Sequence, residues 1–342
     1  MKISISLLQL AVVGVWSQGP AAQIPISPNT ILTPTEPLNL DSIPLLGFGT
    51  WNLDRSNATE AVSAAIQAGY RHIDCAAAYK NQDLVGKGIA DGLAKTGLKR
   101  EDLWITSKLW NDHHGPKNVE PAIDTALADL NLTHLDLYHM HWPVATSSFT
   151  GANKIEYLAT WAAMSELVHK GKTRHIGVSN FSPHQLQTVL NATTHPPAVH
   201  QMELHPYLPQ RDWLAWHAEH GIHVTAYSPF AGTNPTYAPG EPPQLLHNKV
   251  LESIGARRDC TPAQVALAWG LRRGTSVLPK SSHAARIAEN FGAVRCELTD
   301  EDVGRVDDLA EYHHRFNNPG KAWGVDLYEG LEDSRGKHRD HE

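Results

Sequence analysis

The sequence predicts an α/β chain folded as one (β/α)8 TIM barrel, with a C-terminal loop laid over one mouth. Three observations carry that expectation. Apolar, strand-like stretches alternate with helix-patterned stretches eight times between residues 45 and 291. Such alternation calls for parallel strands joined by helical crossovers. The eight units cover about 250 residues, the usual span of a closed barrel of this type. No Gly-x-Gly-x-x-Gly follows an early strand; "GFGTW" (47–51) has two glycines but no third at the right place. That weighs against the alternative, an open doubly wound sheet.

The first three units are "LLGFGTW" with "EAVSAAIQAGY", "RHIDCA" with "LVGKGIADGLA", and "LWITSKLW" with "VEPAIDTALADL". "LDLYHMHW" with "YLATWAAMSELV" and "TRHIGVSN" with "HQLQTVL" follow. The last three are "AVHQMEL" with "DWLAWHAEH", "HVTAYSPF" with "PAQVALAWGLRR", and "SVLPKSS" with "AARIAENF". The longest irregular insert, 228–244, follows the seventh strand, on the side where loops shape barrel sites. "RFNNPGKAWGVDLYEGLED" is aromatic with little helical period and reads as a tail crossing a mouth.

Outside the barrel (38–330) three segments stand apart. Residues 1–22 begin with Lys2 and an apolar run too short to span a bilayer comfortably, then "SQGPAAQ", which reads as a secretory signal peptide or an N-terminal extension. Residues 23–37 are a Pro-rich linker, and 331–342 a polar tail. Localisation therefore stays open between the secretory pathway and the cytoplasm. Asn57, Asn131, Asn180 and Asn191 sit in glycosylation sequons, but Asn57 with Glu60 also reads as a helix capping box.

The 342-residue chain is 41% hydrophobic, enough for a full core, and carries 29 basic against 36 acidic residues. That acidic balance argues against a nucleic-acid partner. Three cysteines (Cys75, Cys260, Cys296) do not make a disulfide framework, and Cys75, inside the second strand, reads as a buried free thiol. Monomer is the default expectation.

Catalytic side chains in such barrels come from the C-terminal ends of strands. Asp74 ends the second strand, with Tyr79 just beyond; Lys108 ends the third and His141 the fourth. A phenol is a poor acid at neutral pH, with a pKa of about 10. An ammonium beside it lowers that value, provided a carboxylate keeps the ammonium charged. Lys108 and Asp74 fill those roles for Tyr79, and His141 can aim a substrate oxygen at the phenol. A tyrosine acid with a polarising histidine suits carbonyl reduction, where negative charge grows on oxygen as hydride arrives. Singly, each residue has an ordinary structural reading; four at one mouth do not.

With these residues placed, the chain resembles the aldo-keto reductase family. "HIDCAAAYKN", "TSKLW", "LDLYHMHWP", "GVSNF", "QMELHP", "AYSPF" and "LPKSS…RIAEN" are similar to that family's motifs, in order, from about Gly47 to Asn290, and "FNNPGKAWGVDLYEGL" resembles its C-terminal loop. The resemblance implies a (β/α)8 barrel, a catalytic tetrad of Asp74, Tyr79, Lys108 and His141, and NADPH as cofactor. It assigns Ser179, Asn180 and Gln201 to the nicotinamide carboxamide and Tyr227 to stacking on the nicotinamide ring. It places Ser228 along the pyrophosphate, Lys280, Ser281 and Arg286 at the adenosine 2′-phosphate, and Glu289 and Asn290 at adenine. Thr50 joins this cofactor set. Trp51, Trp110 and Trp142, with His141, would line an apolar slot for a small aldehyde or ketone.

Lys280 and Arg286 have a physical reading of their own, because two cations beside a helix start near residue 283 attract an extra phosphate. Two departures from the family pattern are Gln82, where Glu is usual near the adenine end, and His139. His139 and His141 share one strand face. With His72 and Asp74 they leave open a metal-dependent barrel hydrolase, against which Lys108 would repel a cation. A non-catalytic NADPH-binding regulatory protein is the other alternative.

Overall fold

The computed structural model describes residues 43–145, 157–233 and 244–331. The expected N-terminal segments, most of the polar tail and parts of the 143–156 and 228–244 loops lie outside these residues. Among the described residues no helix is long and apolar enough to cross a membrane.

Eight parallel strands form one sheet in the order β1 to β8. They are β1 (Gly47–Gly49), β2 (His72–Asp74), β3 (Trp104–Leu109), β4 (Leu135–Met140), β5 (Thr173–Ser179), β6 (Val199–Glu203), β7 (His223–Tyr227) and β8 (Ser276–Val277). A parallel bridge between Leu46 and Val277 and a 3.0 Å bond from Gly49 N–H to Pro279 O bring β8 back to β1, which closes the ring. Each strand is fully or largely buried, polar residues included.

The crossover helices are α1 (Ala58–Ala68), α2 (Gln82–Thr96), α3 (Pro116–Leu130), α4 (Tyr157–His169), α5 (Pro183–Ala192) and α6 (Arg211–Glu219). After β7 come α7 (Lys249–Arg258) and α8 (Pro262–Arg272), and after β8 come α9 (Ala284–Phe291), α10 (Asp300–Asp307) and the short α11 (Gly320–Trp323). Ser182 with Gln185 and Thr261 with Gln264 form capping boxes that start α5 and α8. Gly69 ends α1 at φ 115°, a backbone conformation that side chains oppose. Isoleucine, valine, leucine and aromatic side chains of helices and strands fill the layer between barrel and helices. The inside of the barrel is more polar. His72 Nε2 and Trp104 Nε1 both meet Thr106 Oγ1, at 3.1 and 3.2 Å, and Trp104 stacks on His175.

The structure corrects three expectations here. Cys260 and Cys296 are disulfide-bonded, with Cα atoms 5.9 Å apart, while Cys75 is free and buried. The turn ending α7 and the turn after α9 are neighbours in space, which a sequence separation of 36 conceals. Asn57 does precede α1, but its side chain makes no capping bond. Helices α7 and α10 also lie outside the eight-unit pattern; α7 packs on α8 rather than crossing between strands.

Candidate active site

Register on the barrel, not sequence distance, assembles the tetrad. Asp74 ends β2 opposite Thr106 of β3, so the next inward residue on β3, Lys108, lies one step higher toward the mouth. Just past β2 a single helical turn, Ala77–Tyr79, swings the phenol back over the barrel. Lys108 is fully buried, and each of its three N–H donors has an acceptor. These are Asp74 Oδ2 at 2.6 Å, Cys75 O at 3.0 Å and Tyr79 Oη at 3.1 Å. Asp74 is held in turn: Gln201 Nε2 donates to its Oδ1 at 2.8 Å, and Thr50 Oγ1 donates to its carbonyl at 2.9 Å. The His141 ring meets the Tyr79 ring edge-on, centroids 5.8 Å apart.

Burial opposes the charge on Lys108, but Asp74 and Tyr79 outweigh it and hold the ammonium above its usual pKa. Burial also dominates at Tyr79. Lys108 pulls its pKa down as expected, yet desolvation of the phenolate is larger, and the phenol is pushed up to about 12. The expectation of a net lowering is thus reversed. His141 lies well below the usual histidine value because of burial and then Lys108, so its imidazole is neutral.

An ammonium has no lone pair, so the 3.1 Å contact can only be Lys108 donating to Tyr79. The proton of Tyr79 is therefore directed away from Lys108. Tyr79, Asp74 and His141 all border one cavity of about 1150 Å3 at the C-terminal mouth of the barrel.

Of the other sequence-predicted residues, Ser179, Asn180, Gln201, Tyr227, Ser228, Lys280, Ser281, Arg286, Glu289 and Asn290 line the same cavity, as do Trp51, Trp110 and Trp142. Thr50 does not; it is buried behind Asp74. Gln82 is likewise buried, accepting from Ser107 Oγ at 2.5 Å, and does not line the cavity. His139 is buried beneath the tetrad where Gly177 leaves room; a Cβ there would come within 2.7 Å of its Nδ1. Among the described residues no three His, Cys, Asp or Glu side chains converge as a metal site.

The cavity has two chemically distinct ends. Beside the tetrad stand the uncharged hydrogen-bonding groups of Ser179, Asn180 and Gln201. At the far end, past β8, stand Lys280 and exposed Arg286 near the start of α9. Amides and a hydroxyl suit a carboxamide, and two cations suit a phosphate, so the donor set fits a phosphorylated nicotinamide dinucleotide.

The C-terminal segment adds residues that the sequence did not single out. Asn317 Nδ2 donates to Tyr227 Oη at 3.1 Å, and Tyr328 Oη donates to Asn317 O at 3.0 Å. Trp323 packs edge-on against Trp142 and Trp110, at 5.0 and 6.2 Å, and completes an aromatic slot above His141. Glu203, at the end of β6, anchors this segment by accepting the amides of Phe316 and Asn317, each at 2.8 Å. Aromatic residues without helical period were the available signal.

A family model described as "Aldo/keto reductase family" matches residues 45–311. A D/L-glyceraldehyde reductase of Hypocrea jecorina is 41% identical to the chain, covering 86% of it and 94% of that protein. Among solved structures, an aldose reductase from Giardia lamblia superposes with a TM-score of 0.77 at 36% identity, over 83% of this chain and 98% of that one. A Bombyx mori aldo-keto reductase in complex with NADP does so with a TM-score of 0.78 at 33% identity, over 84% and 95% of the two chains.

Proposed function

The chain belongs to the aldo/keto reductase family, and from that premise we propose that it reduces small aldehydes or ketones to alcohols with NADPH, Tyr79 giving the proton. The observation that carries this reading is the one-way contact from Lys108 to Tyr79. It leaves the phenol proton for a partner in the cavity.

NADPH, when bound, supplies the hydride. Ser179, Asn180 and Gln201 would hold its carboxamide, and Tyr227 would offer a ring face to the nicotinamide. Lys280, Ser281 and Arg286 would bind the 2′-phosphate, with Glu289 and Asn290 at adenine. The neutral His141 can hydrogen-bond the carbonyl oxygen and aim it at Tyr79. A phenol near 12 keeps its proton at neutral pH until the oxygen needs it. Once the proton leaves, the Lys108 ammonium stabilises the phenolate, and Asp74 keeps that ammonium charged. Trp51, Trp110, Trp142 and Trp323 exclude water and favour uncharged substrates.

The Cys260–Cys296 bond supports an oxidising compartment, in line with a secretory localisation, since disulfides persist chiefly there.

Replacing Tyr79 by Phe removes the proton and little else. Aldehyde reduction, followed as NADPH absorbance, should fall by about 10²–10⁴, with NADPH affinity within about threefold of the original. Near-normal turnover by that variant would overturn the acid assignment. NADPH binding by the original protein without turnover of any aldehyde would favour a regulatory role.

A further inference from the structure

Two buried histidines outside the tetrad bear on the same site. His200 lies on β6 and His217 on α6, and both are fully buried. The backbone N–H of Phe181 donates to His200 Nε2 at 3.1 Å. That nitrogen must carry a lone pair, so in a neutral ring the proton sits on Nδ1. His200 Nδ1 faces His217 Nε2 at 2.7 Å, which makes His200 the donor and His217 Nε2 the acceptor. The His217 proton then sits on Nδ1, directed at Trp213 O at 2.5 Å. One chain of three hydrogen bonds, from the Phe181 amide to the α6 backbone, fixes both tautomers.

The chain ends beside the proposed carboxamide site. Phe181 follows Asn180, whose own N–H donates to Gln201 O at 3.1 Å, so two successive amides are pinned to β6 or its side chains. Between them Asn180 sits at φ 62°, a conformation a non-glycine residue keeps only when its surroundings enforce it. In that conformation its Nδ2 donates to His141 O at 3.1 Å, and its Oδ1 accepts from Tyr227 Oη at 2.7 Å.

We propose that His200 and His217 are positioning residues. They hold the Asn180–Phe181 peptide, and through Asn180 they set the carboxamide end of the cofactor site and its junction with the C-terminal segment. Neither histidine lines the cavity; both act through Asn180. The proposal rests on the NADPH reading above.

The test compares His200→Leu, His200→Gln and His217→Leu with the original protein. The readouts are amide hydrogen exchange over residues 179–182 without cofactor, NADPH affinity by tryptophan fluorescence, and kcat with KM. Exchange at Phe181 should accelerate in both Leu variants. Kd and KM for NADPH should rise about tenfold, with kcat at saturating NADPH within about threefold. His200→Gln keeps a side-chain acceptor and should restore protection and most of the affinity. Unchanged exchange and affinity in His200→Leu overturns the proposal. So does a Gln variant as impaired as the Leu one, which would mean that shape alone mattered. If His200→Leu does not fold, His217→Leu with unaltered Kd and exchange overturns it. Failure of the original protein to bind NADPH would instead overturn the cofactor reading, while the exchange comparison still decides whether the relay holds the peptide.

Discussion

The two ends of the cavity are built differently. At the tetrad end Lys108 has three acceptors, Asp74 is bonded through both carboxylate oxygens and its carbonyl, and both residues are buried. At the β8–α9 end Lys280 reaches one backbone carbonyl, that of Asn52, at 3.5 Å, and Arg286 is exposed. That end is tied down from behind instead. Gln264 Nε2 bonds Glu289 O at 2.8 Å, and the Cys260–Cys296 disulfide encloses the whole segment from α8 to α9. Groups that stabilise a developing charge act best when aligned in advance, whereas groups that grip a phosphate can stay hydrated until it arrives. Under the proposed function, the contrast would divide chemistry from cofactor selection.

The largest effect should come from the tetrad end. Lys108→Met would leave the Asp74 carboxylate buried without its cation, lowering stability by about 3–5 kcal/mol. It would also cut kcat by about 10²–10⁴, as measured by chemical denaturation and steady-state kinetics. A stable, active Lys108→Met protein would break the comparison outright. Arg286→Ala should sharpen it: KM for NADPH rises about tenfold while KM for NADH moves less than about twofold. Equal losses for both cofactors would take the 2′-phosphate away from this end. The smallest catalytic effect is expected from Cys260→Ser. Stability drops by about 2–4 kcal/mol in a thermal melt, KM for NADPH rises about threefold, and kcat is unmoved. A fall in kcat instead would show that the two ends are mechanically coupled.

The same contrast explains what was legible in the sequence. The eight strands could be read from their alternation with helices, and the meeting of Asp74, Tyr79, Lys108 and His141 from the strand ends on which they stand. The placing of Lys280 and Arg286 on one cavity, near the start of α9, could be read from their spacing after β8. What stayed hidden depends on packing. Cys260 and Cys296 become partners only once α7 and α9 are placed. The direction of the Tyr79 shift turns on how deeply its hydroxyl is buried, a quantity that neighbouring residue types do not encode. The resemblance put Thr50 in the cofactor set and Gln82 near the adenine end, yet inside the protein Thr50 bonds the Asp74 carbonyl and Gln82 the Ser107 hydroxyl. Asn57 stands at the start of α1 but its side chain leaves the helix amides uncapped.

Glu203 carries one more implication. It grips the C-terminal segment through the main-chain N–H groups of Phe316 and Asn317, which almost any amino acid supplies. Anchorage is thereby separated from lettering. Mutational drift can rewrite the aromatic lining contributed by this segment, and so reshape the cavity mouth, without unfastening it from the scaffold.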